Sequence, residues 1–580
     1  MARGWQTYRN MTASTGARKY SVDDRLALPA LLFNGLQHLA IIAPIGLVFP
    51  ALVARAAALS PEETQSVVAA SLLALGLGSI LLCRRGRLAG SGFLTPAVFT
   101  AAYLPASLAA AAVGGLPLVV GMTIFAGLCE IAFSFLLYRF RALLPAEISG
   151  LAVLMIGLIL ALLGFRLAFG IGPTGHFPAG ALDPVPIALG LGTLAVIVAL
   201  NVWGSGRLRV FAVLIGVTIA YGAAAFVDAV DRDMLQAGMA PGLVRLPALP
   251  FVWPAFDPSL APQFIVGALA SALRAMGDIT TCQRMNDRAW VRPDFGSIQR
   301  GVRADGLATA LSGCLGSVGI NTFSGSIGLA QASGVAARRV GFAIGGLFMA
   351  LAFFPPVVAL AAGIPPPVTG AVLLFSSTFI IASGLQIIVA RLLDTRRILT
   401  VGLAIIFGIS HAAFLGFYAT LPSWLGTLSS SALVVSLIIA LVLNAVFRIG
   451  TSQSRSLTAP VDAELPERIQ AFCRDSGAMW GAQRDVMERV FIAALEAAEM
   501  ALARAVPDSV FQLNLVFDEF FVEASIRFRT AAQTSEPPDE DDDLAVRLSD
   551  LPLILIRRQA DRVSLATEGD QSLMRMRFES

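Results

Sequence analysis

Lysine is almost missing from this chain: Lys19 stands alone against 41 arginines, and histidine occurs only at His38, His176 and His411. The five cysteines, Cys83, Cys129, Cys282, Cys314 and Cys473, show no paired spacing. Neither a disulfide framework nor a zinc ligand set is therefore expected, and no metal or other cofactor. Charge is scarce as well, at 14% of 580 residues against 56% hydrophobic, too little for a soluble globule of this length. The first 25 residues are polar and basic, without an apolar core or a small-residue cleavage site, and do not read as a secretory signal. No constellation supports enzyme chemistry, and no nucleic-acid partner is expected.

What the chain has in abundance is apolar stretches of roughly membrane-spanning length, and these stop at about Arg455. The remainder, 456–580, reads as ordinary amphipathic sequence. Of the 42 basic and 39 acidic residues, 13 and 23 fall after Arg455, leaving 29 and 16 before it: about +13 for the membrane part and about −10 for the tail. Apolar windows predict 14 segments, near 26–49, 64–83, 93–107, 116–138, 147–169, 185–203, 208–228, 262–283, 301–319, 322–335, 340–361, 366–388, 398–417 and 427–447. Cytoplasmic loops collect Arg and Lys, and 24 basic residues precede the first segment or follow the even-numbered ones. The opposite loops hold only Arg55, Arg166, Arg232 and Arg245. Both termini are therefore expected in the cytoplasm of a multi-pass protein of the bacterial inner membrane, the arginine-rich composition pointing to a GC-rich bacterial genome.

A weak internal repeat accompanies this count. Leu143-Leu144-Pro145-Ala146-Glu147-Ile148-Ser149-Gly150 opens the fifth segment and Ile364-Pro365-Pro366-Pro367-Val368-Thr369-Gly370 the twelfth. Seven is odd, so the second copy would enter the membrane in the opposite sense, as an inverted repeat over about 26–232 and 233–450. The short third and tenth segments then correspond, through Ser91-Gly92-Phe93-Leu94-Thr95-Pro96 and Gly319-Ile320-Asn321-Thr322-Phe323-Ser324-Gly325-Ser326. Interrupted segments at matching positions mark a binding site. Non-helical backbone at that depth requires protein or a cavity to satisfy its polar groups. Facing half-helix N-termini would offer a positive pocket.

Ionisable residues within the spans are few, and each costs about 2.5–3.5 kcal/mol or more unless paired or hydrated. Arg274 in the eighth segment fits two readings: an i,i+4 ion pair with Asp278, or a guanidinium that attracts an anionic or carbonyl-rich substrate while Asp278 holds it. Gln37 and His38 sit on a helix expected to line the pocket. Glu130 and His411 lack company and read as structural. The candidate substrate-binding set is thus Gln37, His38, Phe93, Thr95, Arg274, Asp278, Asn321, Thr322, Phe323, Ser324, Gly325 and Ser326.

Gln37-His38, Gly277-Asp278-Ile279-Thr280-Thr281, Asn321-Thr322-Phe323, Ser326, Gly328, Ser333-Gly334-Val335 and Arg338 resemble the nucleobase-ascorbate transporter family of xanthine, urate and uracil permeases, over roughly residues 25–450. The resemblance implies an α-helical membrane protein of 14 segments in 7+7 inverted repeats, with core and gate domains. It also implies homodimers, an elevator-like movement and a small-molecule substrate. Two departures bear on that substrate. The family's acid four residues before the Asp of Gly-Asp is Arg274 here, and Gly325-Ser326-Ile327-Gly328 lacks the family's long polar side chain. An anion is therefore expected, urate- or xanthine-like, with a small organic or inorganic anion moved without proton coupling as the alternative.

The tail, 456–580, is expected to be a small cytoplasmic α/β domain. Val486, Val490, Ala494, Ala498 and Leu502 form an apolar helical stripe, Phe511–Phe517 and Phe521–Arg529 a hairpin, and Glu536–Asp543 an acidic loop; a helix around Leu553–Arg558 and one final strand follow. Ala494-Leu495-Glu496 and Leu555-Ile556-Arg557-Arg558-Gln559-Ala560-Asp561 resemble the ATPase fold of anti-sigma-factor and histidine kinases. Met500 stands where that family has a Mg-binding Asn, and Asp550 and Pro552 where glycines belong. A degenerate module that dimerises or binds a regulatory protein or ligand is expected. A ligand sensor signalling through this domain is the alternative for the whole chain.

Overall fold

Proline and glycine set many of the helix ends in the membrane part. The structure, a computed structural model, describes residues 20–580 apart from 141–145, 172–182, 231–232, 234–235, 237–241, 288–289, 291–292, 390–392, 423–424, 427–428, 430, 448–451, 481, 483, 504–508, 519–520, 530–550, 569–570 and 580. Two compact units divide between Asn444 and Ala445.

In the first unit α1 (Leu28–Ala56) and α2 (Pro61–Cys83) each carry a proline in the first turn, where a missing N–H costs nothing. Ser60 caps α2 through a reciprocal pair of hydrogen bonds with Glu63. After β1 (Ala97–Phe99), α3 (Leu104–Phe140) is two helices joined at Gly114 and Gly115, and Gly115 takes φ 63, which an L side chain resists. Then come α4 (Ala146–Ala168), α5 (Pro184–Val202), α6 (Arg207–Val210), α7 (Ala212–Phe226), α8 (Ala261–Asn286), α9 (Phe295–Cys314), β2 (Ile320–Thr322) and α10 (Ser324–Ser333). The unit closes with α11 (Arg339–Ala352), α12 (Pro355–Ala362), α13 (Pro366–Ile388), α14 (Thr395–Ala413), α15 (Leu415–Ala419) and α16 (Ala432–Phe447), the last of which runs just past its boundary.

Among the described residues, 8 helices are long and apolar enough to cross a membrane, or 9 with α11 and α12 taken as one bent span, while α7 and α16 are shorter apolar helices. One expectation is corrected here. The segment predicted over 340–361 is not a single helix: α11 and α12 meet at 89°. Phe354 precedes Pro355 and is extended at φ −107, ψ 91, as steric clash with a following proline demands, and Pro355 has no N–H to return to α11.

Small residues let the helices touch backbone to backbone, the usual device where lipid removes the hydrophobic drive between helices. A Cβ on Gly127 of α3 would lie 2.5 Å from Gly306 O and from Ala310 N of α9; one on Gly76 of α2 would lie 2.7 Å from Gly345 O of α11. Along α4 and α13, Gly150 meets Gly384 and Gly164 meets Gly370 in the same way.

The second unit is a five-stranded antiparallel sheet in the order β3 (Gln453–Pro460), β4 (Val510–Asp518), β5 (Phe521–Arg529), β7 (Gln571–Glu579), β6 (Arg562–Glu568). It packs with α17 (Leu465–Trp480), α18 (Arg484–Ala503) and α19 (Leu551–Gln559) around its own apolar core. The hairpin forms with Asp518 opposite Phe521. Val486, Val490, Ala494 and Ala498 are buried, but Leu502 is 36% exposed and Ala501 is buried instead. Steps of four residues drift by about 40° each on a helix of 3.6 residues per turn, so the stripe rotates away from its fifth member. Two strands close the chain, not one, and β3 was not expected, since its polar sequence buries only Ala459. The predicted acidic loop, Glu536–Asp543, lies outside the described residues.

Two expected outcomes follow from this packing. Gly127→Val forces a side chain into the α3–α9 backbone contact, and overpacking of that kind costs about 1–3 kcal/mol; thermal melting of the purified protein in detergent should show a lower transition, whereas an unchanged one would remove the close approach as a constraint. Burial pushes the Cys473 thiol up to about 12, so the unreactive thiol form persists at pH 8 in the folded tail. Alkylation followed by peptide mass spectrometry should leave Cys473 unmodified until denaturant is added.

Candidate functional site

Two irregular stretches cross at the centre of the first unit. β1 and β2 pair antiparallel, Ala97 with Thr322, Val98 with Asn321 and Phe99 with Ile320, and all six residues are buried. The flanking groups are satisfied too: Phe323 N donates to Pro96 O and Thr100 N to Gly319 O, at 3.1 and 3.2 Å. Side chains complete the set, with Ala97 N donating to Ser79 Oγ at 3.0 Å and Thr309 Oγ1 to Ile320 O at 2.8 Å. These bonds satisfy backbone groups between the helices, as irregular chain at this depth requires.

The strand pair carries polar side chains into contact with α8. Thr322 Oγ1 lies 2.7 Å from Asp278 Oδ2 and 2.9 Å from Asn321 Oδ1, so its one proton is offered to two acceptors. Asn321 Nδ2 donates to Ser271 O at 2.8 Å and to Ser271 Oγ at 2.6 Å. Ser324, the first residue of α10, also hydrogen-bonds Asp278. Four of the predicted residues, Asp278, Asn321, Thr322 and Ser324, thus form one network.

Arg274 lies one turn before Asp278 and is half-buried. Its charge acts on Asp278 and on Asp305 of α9, but among the described residues no carboxylate comes within ion-pair distance of it and no hydrogen bond reaches it. The i,i+4 pair and the idea that Asp278 holds the guanidinium are both corrected: the carboxylate of Asp278 is turned to Thr322 and Ser324.

The remaining predicted residues divide. His38 on α1 is 1% exposed and Ser326 on α10 fully buried, and their Nδ1 and Oγ have no hydrogen-bond partner among the described residues. Those are open valences of the kind a ligand or water fills. Gln37 and Phe323 are half-buried and Gly325 is exposed. Thr95 is tied to its own turn, 2.8 Å from Ser91 Oγ, and Phe93 packs on the apolar contact between α8 and α9; neither joins the polar network.

Glu130 does not lack company, which corrects a second expectation. It is fully buried, accepts from Tyr103 OH on Oε2 at 3.2 Å and lies near Asp305. Asp305 and Ser271 are functional candidates that sequence reasoning missed; Asp305 lies inside a predicted segment, 301–319, and intramembrane acidity was the signal that could have found it. A groove of about 470 Å³ lies elsewhere, between α5 and α7, lined by apolar residues such as Leu189, Val196 and Ile219, and holds none of these polar groups.

Comparison with known proteins places this geometry. The sequence profile of the permease family, of the xanthine/uracil type, matches residues 29–416. The chain is 28% identical to the xanthine permease XanP of Escherichia coli (strain K12) over 442 residues, 74% of this chain and 94% of that protein. It is 26% identical to the uric acid permease PucJ of Bacillus subtilis (strain 168) over 439 residues, 74% and 95% of the two. Among solved structures, the murine anion transporter Slc26a9 in its inward-facing state shares the fold, with a TM-score of 0.51 and 13% identity over 77% of this chain and 72% of that one. The chain belongs to the xanthine/uracil permease family and is a multi-pass membrane protein that moves small molecules across a bilayer, not an enzyme.

Proposed function

We propose that this permease is a secondary transporter for a nucleobase-like monoanion of the urate or xanthine class in the bacterial inner membrane, working by alternating access of the elevator kind. The observation that carries the substrate charge is Arg274. Among the described residues its guanidinium has no counter-ion within 4 Å, which at membrane depth costs about 2.5–3.5 kcal/mol or more, and a bound anion beside the Asp278–Thr322–Asn321 network would offset that cost. The planar fork of arginine suits the adjacent carbonyl and ring nitrogen acceptors of an oxidised purine. XanP and PucJ, whose names assign them xanthine and uric acid, support the same class.

In this reading the membrane part holds 14 segments in two inverted sevens, with the binding residues where the third and tenth meet. Support for the repeat comes from helix contacts. The Gly76–Gly345 approach joins the second and eleventh segments, and the Gly127–Gly306 approach joins the fourth and ninth. A shift of seven exchanges these two pairs. We assign the termini to the cytoplasm, the assembly to a homodimer, and the domain from about 456 to 580 to regulation through a protein or ligand partner.

Uptake of radiolabelled urate and xanthine into cells overproducing the chain tests the proposal. Arg274→Ala should abolish uptake at an unchanged amount of folded protein in the membrane, and Arg274→Lys, which keeps the charge without the fork, should restore part of it; full uptake by the alanine variant would sink the proposal. Thr322→Val removes the hydroxyl donor of a buried carboxylate, worth about 1–3 kcal/mol. It should lower both the unfolding temperature and the affinity for urate measured by thermal shift, while Thr322→Ser keeps both near the parent values.

A further inference from the structure

The two faces of the tail's sheet are unlike. Phe511, Leu513, Val522, Ile526, Met576 and Phe578 point to one side and are buried in the apolar core of the unit. Alternate residues of a strand point to the other side, and there the register gathers arginine: Arg527 and Arg529 on β5, Arg575 and Arg577 on β7, and Arg562 on β6. Arg527, Arg529, Arg562 and Arg575 are exposed, and Arg577 is half-buried. Arg562 stands directly opposite Arg577 and diagonal to Arg575. Arg527 is diagonal to Arg575 from the other flank of β7. The cluster is therefore continuous across three strands, with Glu523, opposite Arg577, as an acid at its edge.

Like charges directly opposite each other destabilise a sheet, and this face does not relieve them. Among the described residues no carboxylate lies within 4 Å of Arg527, Arg562, Arg575 or Arg577; the tail's ion pairs form elsewhere, as between Arg468 and Glu464 and between Arg489 and Asp561. Arg577 does not turn to Glu523 but lays its guanidinium over the Phe521 ring, 3.7 Å from the centroid. Its Nε is shut off from solvent and has no acceptor among the described residues. Charges that guard a sheet against edge-to-edge pairing belong on edge strands, whereas β5 and β7 lie inside the order β3-β4-β5-β7-β6. Repulsion without an internal partner is the kind of local cost that functional surfaces carry.

We propose that this arginine face is a docking surface for the anionic phospholipid headgroups of the membrane that holds the chain. The planar fork of arginine takes two phosphate oxygens at once, and each arginine at an anionic membrane surface is worth about fivefold in binding. Only residues 448–452 separate the last apolar helix, α16, from β3, so the sheet is tethered to a bilayer, and a tethered site needs little intrinsic affinity. The tail as a whole is acidic, about −10, but exposed charges more than about 8 Å apart are screened at physiological salt. The face, not the sum, selects the partner. Single-stranded nucleic acid, the other polyanion, is held by stacking on open aromatic rings as well as by charge; the ring on this face is Phe521, which Arg577 already covers. Docking gives the regulatory role proposed for the tail a ligand, the surrounding bilayer, but depends neither on that role nor on the substrate.

Arginine modification by phenylglyoxal, read residue by residue by peptide mass spectrometry on the full chain in lipid nanodiscs, tests the surface without any variant. Arg527, Arg562 and Arg575 should react several-fold more slowly in discs containing phosphatidylglycerol than in discs of phosphatidylcholine alone, and the difference should vanish at high salt. Arg468, paired on α17, should react alike in both. Equal rates for the three arginines in the two discs would overturn the docking surface. Protection by inorganic phosphate or by single-stranded RNA in phosphatidylcholine discs, with none from phosphatidylglycerol, would overturn the membrane assignment in favour of a small-anion or a nucleic-acid site. Arg527→Gln combined with Arg575→Gln should remove most of the protection of Arg562, while Arg527→Lys combined with Arg575→Lys should keep much of it; full protection in the glutamine pair would place the lipid contact elsewhere and overturn the cluster. Alkylation of Cys473, which is buried in the folded tail, identifies a variant that has merely failed to fold, and the comparison of discs with the parent protein does not depend on one.

Discussion

Six residues of paired backbone hold the centre of the membrane part. Irregular chain in an apolar medium costs several kcal/mol for each N–H or C=O left without a partner, and three-residue strands are too short to be stable alone. β1 and β2 answer each other's need: each supplies the partner groups that lipid cannot. Because the pairing is antiparallel and its register places Ala97 opposite Thr322, Asn321 and Thr322 are fixed against α8, and the helices on either side must end or begin where the strands do. Ser79 and Thr309 close the remaining valences from α2 and α9, so four elements are committed to one crossing. Any movement that carries a substrate past this point must carry the crossing as a body, or break hydrogen bonds that have no alternative partner.

Much of this was legible before the structure. Gly, Ser, Thr and Pro concentrated in two short apolar segments marked the interruptions, and the arginines outside the spans were distributed with one sign of asymmetry. Asp278, Asn321 and Thr322 were singled out from the sequence and lie in one network. What the sequence hid were relations between segments. Asp305 looks like one more residue of a polar α9, whose low hydropathy disguises a charge at depth. Glu130 looks solitary because its partners, Tyr103 and Asp305, are 27 residues before it and 175 after it in the chain. An i,i+4 spacing allows an Arg274–Asp278 pair but does not compel it. Thr322, Ser324 and Asp278 show why: the hydroxyls brought in by β2 and α10 compete for the same carboxylate, and only the fold reveals the competitor.

The same limit appears at Phe354-Pro355. Apolarity runs without a break through 340–361, so a hydropathy window sees one span, while the proline removes the hydrogen bond that would make it one. In the tail, the stripe on α18 was readable for four of its members because they lie within the arc that faces the sheet; the fifth required the helical period itself. β3 was invisible because an edge strand with one solvent-facing side needs little apolar sequence.

Charge explains why the departure from the family pattern at Arg274 bears on the substrate. Replacing a carboxylate by Arg274 four residues before Asp278 changes the local charge by two, in an interior where neither excess nor deficit is screened. Arg274 and Asp278, one turn apart on α8, sum to zero. Among the described residues, Arg274 has no ion-pair partner within 4 Å. A neutral base would leave that half-buried guanidinium unmatched. An anion matches it, which is the physical reason that the charge reversal at this position favours an anionic substrate.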